Sequence, residues 1–301
     1  MKKFYEKLGA LMKSHNSPPE LIAKMDETFT SPADNTNEKV LTTEGQSDAE
    51  RPITTSSPTT EHITTAFTIF ANGTSMKPLI IFPLKNVPQS ATSAFRLLSF
   101  AGSTKGWINR RIFNSWVTEM FVPEIQHRRS DLKIPNQRAL LLVDNHNSRA
   151  SGTALRALAA ANVDVLTFPA HTSHILQPLD QEVNLIYKKA LKEKFTVKEN
   201  STAEERRKAL LSAIEEAADE AQTIGRIRNS FKRAGIFPLN SKQGTNNKFA
   251  SKKATVHHEA ASKVRVVMEN RVITEETFIA QVEAAEEKRA QEKAKKQKKS
   301  T

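Results

Sequence analysis

Two aspartates in this sequence stand where a metal ion would be held. Leu140–Val143 is a short, continuous apolar run, the pattern of a strand buried on both faces, and it ends at Asp144, followed by Asn145 and His146. A carboxylate at the tip of such a strand is held rigidly, with its oxygens facing whatever lies beyond the sheet. Gly152–Ala161 has the pattern of a helix and Val163–Phe168 that of a second apolar strand. The loop PAHTSHILQP then leads to Asp180, at the start of another amphipathic helix. On that helix the spacing puts Asp180, Val183, Tyr187 and Leu191 on one face. A carboxylate on an apolar face is costly unless something pairs with it, and a metal ion shared with Asp144 would do so. Taken singly, the two residues also suit plainer roles, Asp144 as a turn former and Asp180 as a partner of the helix dipole.

The string HTSHILQPLD that closes on Asp180 is long and unusual. It is joined by MDET at Met25–Thr28, FTIFANGTSMKPLIIFPLK at Phe67–Lys85 and SFKRAGIFPLN at Ser230–Asn240. In that order, over roughly residues 1–240, these segments resemble the DDE-type superfamily endonucleases of the pogo, Tigger and jerky class of transposases. Such proteins carry a strand ending in Asp-Asn and then a Pro-x-His-Thr-Ser/Thr-His-x-Leu-Gln-Pro-Leu-Asp block. The resemblance implies an α/β, RNase H-like mixed sheet flanked by helices, in which ELIAKMDETF is the first strand and Asp26 the first catalytic acid. It makes Asp26, Asp144 and Asp180 the catalytic and metal-holding set, the last two separated by 35 residues. Three departures stand out: Lys24 where the family usually has Asn, Phe29 where Gly follows the Thr, and Ser148-Arg149 where many relatives carry His.

The chemistry so implied is phosphodiester cleavage or transfer on DNA. It needs an activated attacking oxygen, a stabilised leaving oxygen and an offset for charge on phosphorus. Two divalent ions about 3.5–4 Å apart supply all three. Mg2+ (or Mn2+) prefers hard oxygen ligands and keeps several waters, so three aspartates suffice. We expect Asp144 to be shared, with Asp26 and Asp180 each holding one of two ions, and Glu182 as the alternative to Asp180. Glu27 is the neighbour of Asp26, but strand alternation points it to the opposite face. His146, His171 and His174 suggest zinc, to which imidazole is suited. However, the proline-flanked loop lacks the i, i+4 spacing of helical zinc sites, and the chain has no cysteine for a thiolate site. The loop histidines His171 and His174 are read instead as contacts to the backbone or to phosphate, with Arg149 as a phosphate clamp.

The remaining segments must position these groups. Met1–Ser14 has helical spacing, stopped by Pro18 and Pro19. Residues 30–62 are polar and read as a long surface loop. Ile63–Phe70, Asn72-Gly73 and Met76–Pro83 read as a hairpin, followed by an irregular stretch over 87–96. A helix is expected over Asn109–Val122, with Trp107 and Trp116 as packing residues and base stacking as the minor reading. Thr202–Glu205 is a capping box opening a helix. Ile224–Ala234 is a further helix stopped by Gly235, whose outer face carries Arg226, Arg228, Lys232 and Arg233, suited to tracking phosphates.

At 301 residues the chain is ample for one sizeable core plus extensions. It has no apolar run of membrane-spanning length and no apolar signal segment. The net charge of +12 and pI near 9.8 point to a polyanionic partner, nucleic acid. Residues 241–301 hold 14 Lys and Arg against 8 Asp and Glu and read as a basic, partly helical or disordered tail. Lys293–Lys299 (KAKKQKK) suits nuclear import or phosphate contact. The expected organisation is a nuclease core over 1–240 and that tail over 241–301, in a nuclear or, before import, cytoplasmic protein. Self-association as a dimer is compatible with this picture. Full-length relatives place helix-turn-helix modules before the core, and this sequence starts almost at the first catalytic strand. A catalytically decayed or domesticated, non-enzymatic DNA-binding or interaction protein on the same scaffold is the competing expectation.

Overall fold

The computed structural model describes residues 1–30, 63–170, 172–198, 200–245 and 267–299. The expected polar loop therefore lies, apart from Thr30, outside the described residues. Six strands form one mixed sheet: β1 (Ile22–Thr30), β2 (Ile63–Phe70), β3 (Leu79–Phe82), β4 (Ser99–Gly102), β5 (Ala139–Val143) and β6 (Val163–Thr167). Their spatial order is β4-β3-β2-β1-β5-β6. β2 runs antiparallel to β1 and β3, whereas β5 is parallel to β1 and to β6. This is the RNase H-like sheet, with the four-residue β4 added in parallel at the β3 edge. β4 has no counterpart in the sequence reading, because four residues are too few to show an alternation.

Alternation along the strands divides the core into two layers. On one face Ile22, Phe67, Ile69, Leu140, Leu142 and Leu166 are buried. That face is covered by helix α1 (Lys2–His15) and, later in the chain, by α6–α10, while α2 (Gln89–Thr92) lies against α9 and α11 against α1. These later helices are α6 (Ser173–Leu176), α7 (Pro178–Gln181), α8 (Val183–Lys194), α9 (Ala203–Ala221), α10 (Ile224–Arg233) and α11 (Ser241–Thr245). The other face buries Ala23, Met25, Leu141, Val143 and Val165 beneath α3 (Arg110–Ser115), α4 (Val122–Asp131) and α5 (Gly152–Ala160). α3 and α4 are one helical stretch joined by a π-helical segment over Trp116–Phe121. Pro123 has no N–H for the usual ladder, and the wider turn accommodates it. Asn109 caps this stretch, accepting from the Ile112 N–H at 3.0 Å.

The expected capping box is present, with Thr202 and Glu205 each accepting from the other's backbone. Gly73 takes φ +100° in the β2–β3 turn and Gly235 takes φ +66° after α10, conformations in which a side chain would be strained. The turn also packs against Ile224 at the start of α10, so a Cβ on Gly73 would clash there.

The carboxy-terminal region, expected as a basic, partly helical or disordered tail, does form a helix over Glu276–Lys299, but part of it is anchored on the core. Residues 268–274 run along the outer edge of β6, where the Ile273 N–H donates to the Val165 carbonyl (2.8 Å) and the Thr167 N–H to the Arg271 carbonyl (3.0 Å). Helix α12 (Glu276–Lys299) then packs against α5, burying Phe278, Ile279, Val282 and Ala285. Arg156 on α5 pairs with Glu276 and Glu283. A seam of four residues at one end of a long polar helix is too short to read as an amphipathic pattern. It nonetheless anchors residues 268–274, whose backbone covers the edge of β6, which would otherwise present unpaired N–H and C=O groups.

Candidate active site

The register of β1 and β5 sets the site. Lys24 lies beside Leu142, so two residues further each strand delivers a carboxylate: Asp26 on β1 and Asp144 just beyond the end of β5. β5 stops at Val143 while β1 continues to Thr30, leaving that side of β1 open. Along this open edge Asp26, Glu27 and Asp144 each bring an oxygen within 4.8 Å of the others. Glu27 keeps the opposite face that alternation gives it, where it meets Arg149, and one of its oxygens still comes within reach of the group at the open edge.

These three oxygens suit a divalent cation. Ligands on opposite sides of Mg2+, each at about 2.1 Å, stand about 4.2 Å apart, so the group needs little contraction. Glu27 Oε1 is buried and has no hydrogen-bond partner, a costly state that a bound cation would relieve.

Arg149 is fully buried, which corrects its expected role as a phosphate clamp or DNA contact. Its guanidinium donates from Nε to Asp144 Oδ1 (3.0 Å), from Nη2 to Glu27 Oε2 (3.1 Å) and from Nη1 to Ser148 Oγ (3.2 Å). It also lies over the Phe113 ring. A rigid fork of this kind fixes two carboxylates relative to each other. His146 hydrogen-bonds Ser148 Oγ through Nδ1 at 2.8 Å and so braces the loop that carries Arg149.

Lys24, noted in the sequence only as a departure, is also fully buried. Its Nζ lies 3.7 Å from Asp26 Oδ2, donates to the Met25 carbonyl at 2.7 Å and sits over the Phe168 ring. The acids titrate apart in consequence. Burial, with Asp144, Asp180 and Glu27 adding to it, raises the Asp26 carboxyl to about 7 against the pull of Lys24. Burial also raises Glu27, against Arg149. At Asp144 burial acts upward too, but Arg149, Lys24 and His146 together outweigh it and hold the carboxyl below its usual value. Burial lowers the Lys24 ammonium, although Asp26, Asp144 and Asp180 act to retain its proton.

Asp180 is close enough to act on the charges of Asp26 and Lys24, but among the described residues it is not part of the compact oxygen group. The expected single helix is broken at Glu182 (φ −153°), which separates α7 from α8. Val183, Tyr187 and Leu191 are buried as their spacing requires, while Asp180 is exposed in the preceding turn and accepts from Asn184 Nδ2 at 2.9 Å. Glu182, the alternative ligand, is engaged elsewhere: its Oε2 accepts from Asn229 Nδ2 (2.7 Å) and lies 3.9 Å from Arg233. His171 lies outside the described residues, and the backbone of His174 belongs to α6.

Three of the four basic residues on α10 have partners within the fold. Arg226 donates to the Glu220 carbonyl, Arg228 to the Asn72 carbonyl (2.7 Å), and Arg233 faces Glu182. Lys232 is exposed. Trp116 is buried between Phe113 and Phe121, the packing role expected of it. Trp107 is half exposed and stacks on Phe29.

Carboxylates gathered where β1 and β5 lie parallel define the class as an RNase H-like α/β fold with an acidic site at the open edge of its sheet. The model of the DDE superfamily endonuclease family matches residues 60–230, more than half of the chain, and the chain belongs to that family. It is 30% identical over 146 residues to Tigger transposable element-derived protein 7 of Homo sapiens, covering 45% of this chain and 26% of that protein. It is 28% identical over 189 residues to the MFS-type transporter clz9 of Cochliobolus lunatus, covering 60% of this chain and 19% of that protein. The chain thus spans about a quarter or less of the length of these curated relatives. Among the described residues no helix is long and apolar enough to cross a membrane. Of solved structures, the Mos1 mariner paired end complex with Mn aligns at 15% identity and a TM-score of 0.48, over 80% of this chain and 62% of that one.

Proposed function

We propose that this chain is a transposase-like, metal-dependent endonuclease that binds DNA and cleaves or transfers its phosphodiester bonds. The observation that carries this reading is the convergence of Asp26, Glu27 and Asp144, with one buried Glu27 oxygen left unpartnered. These three residues would hold Mg2+ or Mn2+, and Asp180 is the acid at the exposed rim, towards incoming substrate. A bound divalent ion polarises the phosphoryl oxygens and makes water nucleophilic at neutral pH. Asp144, kept ionised by Arg149, is the permanent anionic ligand. Asp26, which titrates near 7, must release its proton before it can serve as a second one. Arg149 holds Asp144 and Glu27 in fixed relation, so the ligand geometry is set before substrate arrives.

Nicking of supercoiled plasmid in Mg2+ or Mn2+ tests the proposal. Asp144→Asn is expected to lower nicking at least a hundredfold while DNA retention is preserved. One observation favours the competing, non-catalytic reading: Lys24 and Arg149 already neutralise part of the acidic group. DNA binding without nicking in either metal would establish that reading.

A further inference from the structure

The two-ion expectation assigned one ion to Asp144 with Asp26 and another to Asp144 with Asp180. The structure puts a protein cation on the second of these sides. Lys24 and Asp26 stand two residues apart on one face of β1, the face on which α7 brings in Asp180. Lys24 Nζ lies 3.7 Å from Asp26 Oδ2 and interacts electrostatically with Asp144 and Asp180 as well. On the other face Arg149 occupies Asp144 Oδ1 and Glu27 Oε2 but leaves Glu27 Oε1 bare.

Charge balance gives the same answer. Once metal binding has displaced the protons that Asp26 and Glu27 retain, four acids (Asp26, Glu27, Asp144 and Asp180) stand against two buried cations (Lys24 and Arg149), which leaves two negative charges, the complement of one divalent ion. A second divalent ion between Asp144 and Asp180 would sit between two acids that both act on the Lys24 ammonium. That ammonium is buried, has no solvent into which to withdraw, and is fixed by its bond to the Met25 carbonyl. Like charges so close in a water-poor site repel strongly.

Resting on the nuclease reading above, we propose that the Lys24 ammonium is a built-in substitute for the second ion. The site then takes up a single divalent cation, held by Asp26, Glu27 and Asp144. Lys24 is a positioning residue that holds Asp26 and supplies fixed positive charge beside the place where a phosphate would lie.

The test is metal stoichiometry, which needs neither substrate nor turnover. The full chain is titrated with Mn2+ by calorimetry, and the bound ions are examined by electron paramagnetic resonance for coupling between neighbouring Mn2+ centres. The wild type is expected to bind one ion at this site, without coupling. Lys24→Met, close in shape but uncharged, is expected to bind two, with a coupled signal. Lys24→Gln serves the same purpose should the methionine variant fail to fold, with folding checked by circular dichroism. Asp144→Asn is expected to weaken binding at least tenfold in either background. Two coupled ions in the wild type, or one ion in both Lys24 variants, would overturn the substitution by Lys24 and leave the nuclease reading intact. Absence of binding in the wild type and in both variants would remove the metal-dependent reading as well.

Discussion

At the scale of single residues, the carboxyl of Asp26 is the group whose burial and chemistry conflict most. Its value of about 7 in the folded protein stands against 3.8 when exposed, so the folded state keeps a proton that the unfolded chain gives up between those pH values. Stability must therefore fall as pH rises through that window and level off above it, the reverse of an ordinary salt-bridged aspartate. Over that span the loss is about 4 kcal/mol, the pull of Lys24 being already contained in the value of about 7. Urea denaturation at stepped pH is expected to show this decline in the wild type and not in Asp26→Asn; equal profiles would mean that Asp26 is not buried as described. Lys24 acts in the opposite sense. Its lowered value makes the unfolded chain the better proton acceptor below 10.5, so stability recovers in the alkaline range as that difference closes. Arg149 shows what spacing could and could not say. Its place beside Asp144 was visible in the sequence, but its burial against Glu27, 122 residues away, was not.

At the scale of elements, the site was legible wherever one strand or one motif decides the outcome. Asp144 could be placed because Leu140–Val143 is an unbroken apolar run with the pattern of a strand buried on both faces, which β5 is. Asp26 could be placed only through the resemblance, since Asp-Glu at the end of a mixed segment carries no local signal. Asp180 was put on the buried face because spacing treats residues 180–191 as one helix. The break at Glu182 is held by Asn229 and Arg233, from an element some 50 residues later, and no local pattern contains that contact. Tyr187, by contrast, lies where its spacing puts it, with its hydroxyl joined to Thr30 (3.1 Å) and Thr65 (3.0 Å) so that α8 is tied to β1 and β2. The edge of β6 is the other case of distant control. If residues 268–285 belong to the core, Phe278→Ala should destabilise the protein by about 3–5 kcal/mol. Glu292→Ala, further along the same helix and exposed, should stay within about 0.5 kcal/mol. A free tail would make the two substitutions equally silent in a urea titration.

At the scale of the molecule, the question is where a chain of net charge +12 meets a polyanion. Three of the four basic residues on α10 have partners within the fold, so the face that looked best suited in the sequence contributes less free charge than its composition suggests. α12 is divided differently. Its first half is anchored on α5, and its far end carries Lys293, Lys295, Lys296, Lys298 and Lys299. On the proposed DNA-binding function, a helix fixed at one end and basic at the other would extend the reach of the core along a duplex without reading bases. Each lysine that neutralises a phosphate on binding releases counterion and steepens the dependence of affinity on salt by about 0.9 in a log–log plot. Ending the chain after Glu292 keeps the buried seam and removes all five lysines. Fluorescence anisotropy with a short duplex, over about 50–200 mM salt, is expected to show a slope shallower by as much as about 4.5 for the shortened chain. The loss should be the same for unrelated duplex sequences, and nicking per bound complex should be unchanged. An unaltered slope would exclude the terminal lysines from the interface and turn attention to Lys232 and the surface around the rim acid Asp180.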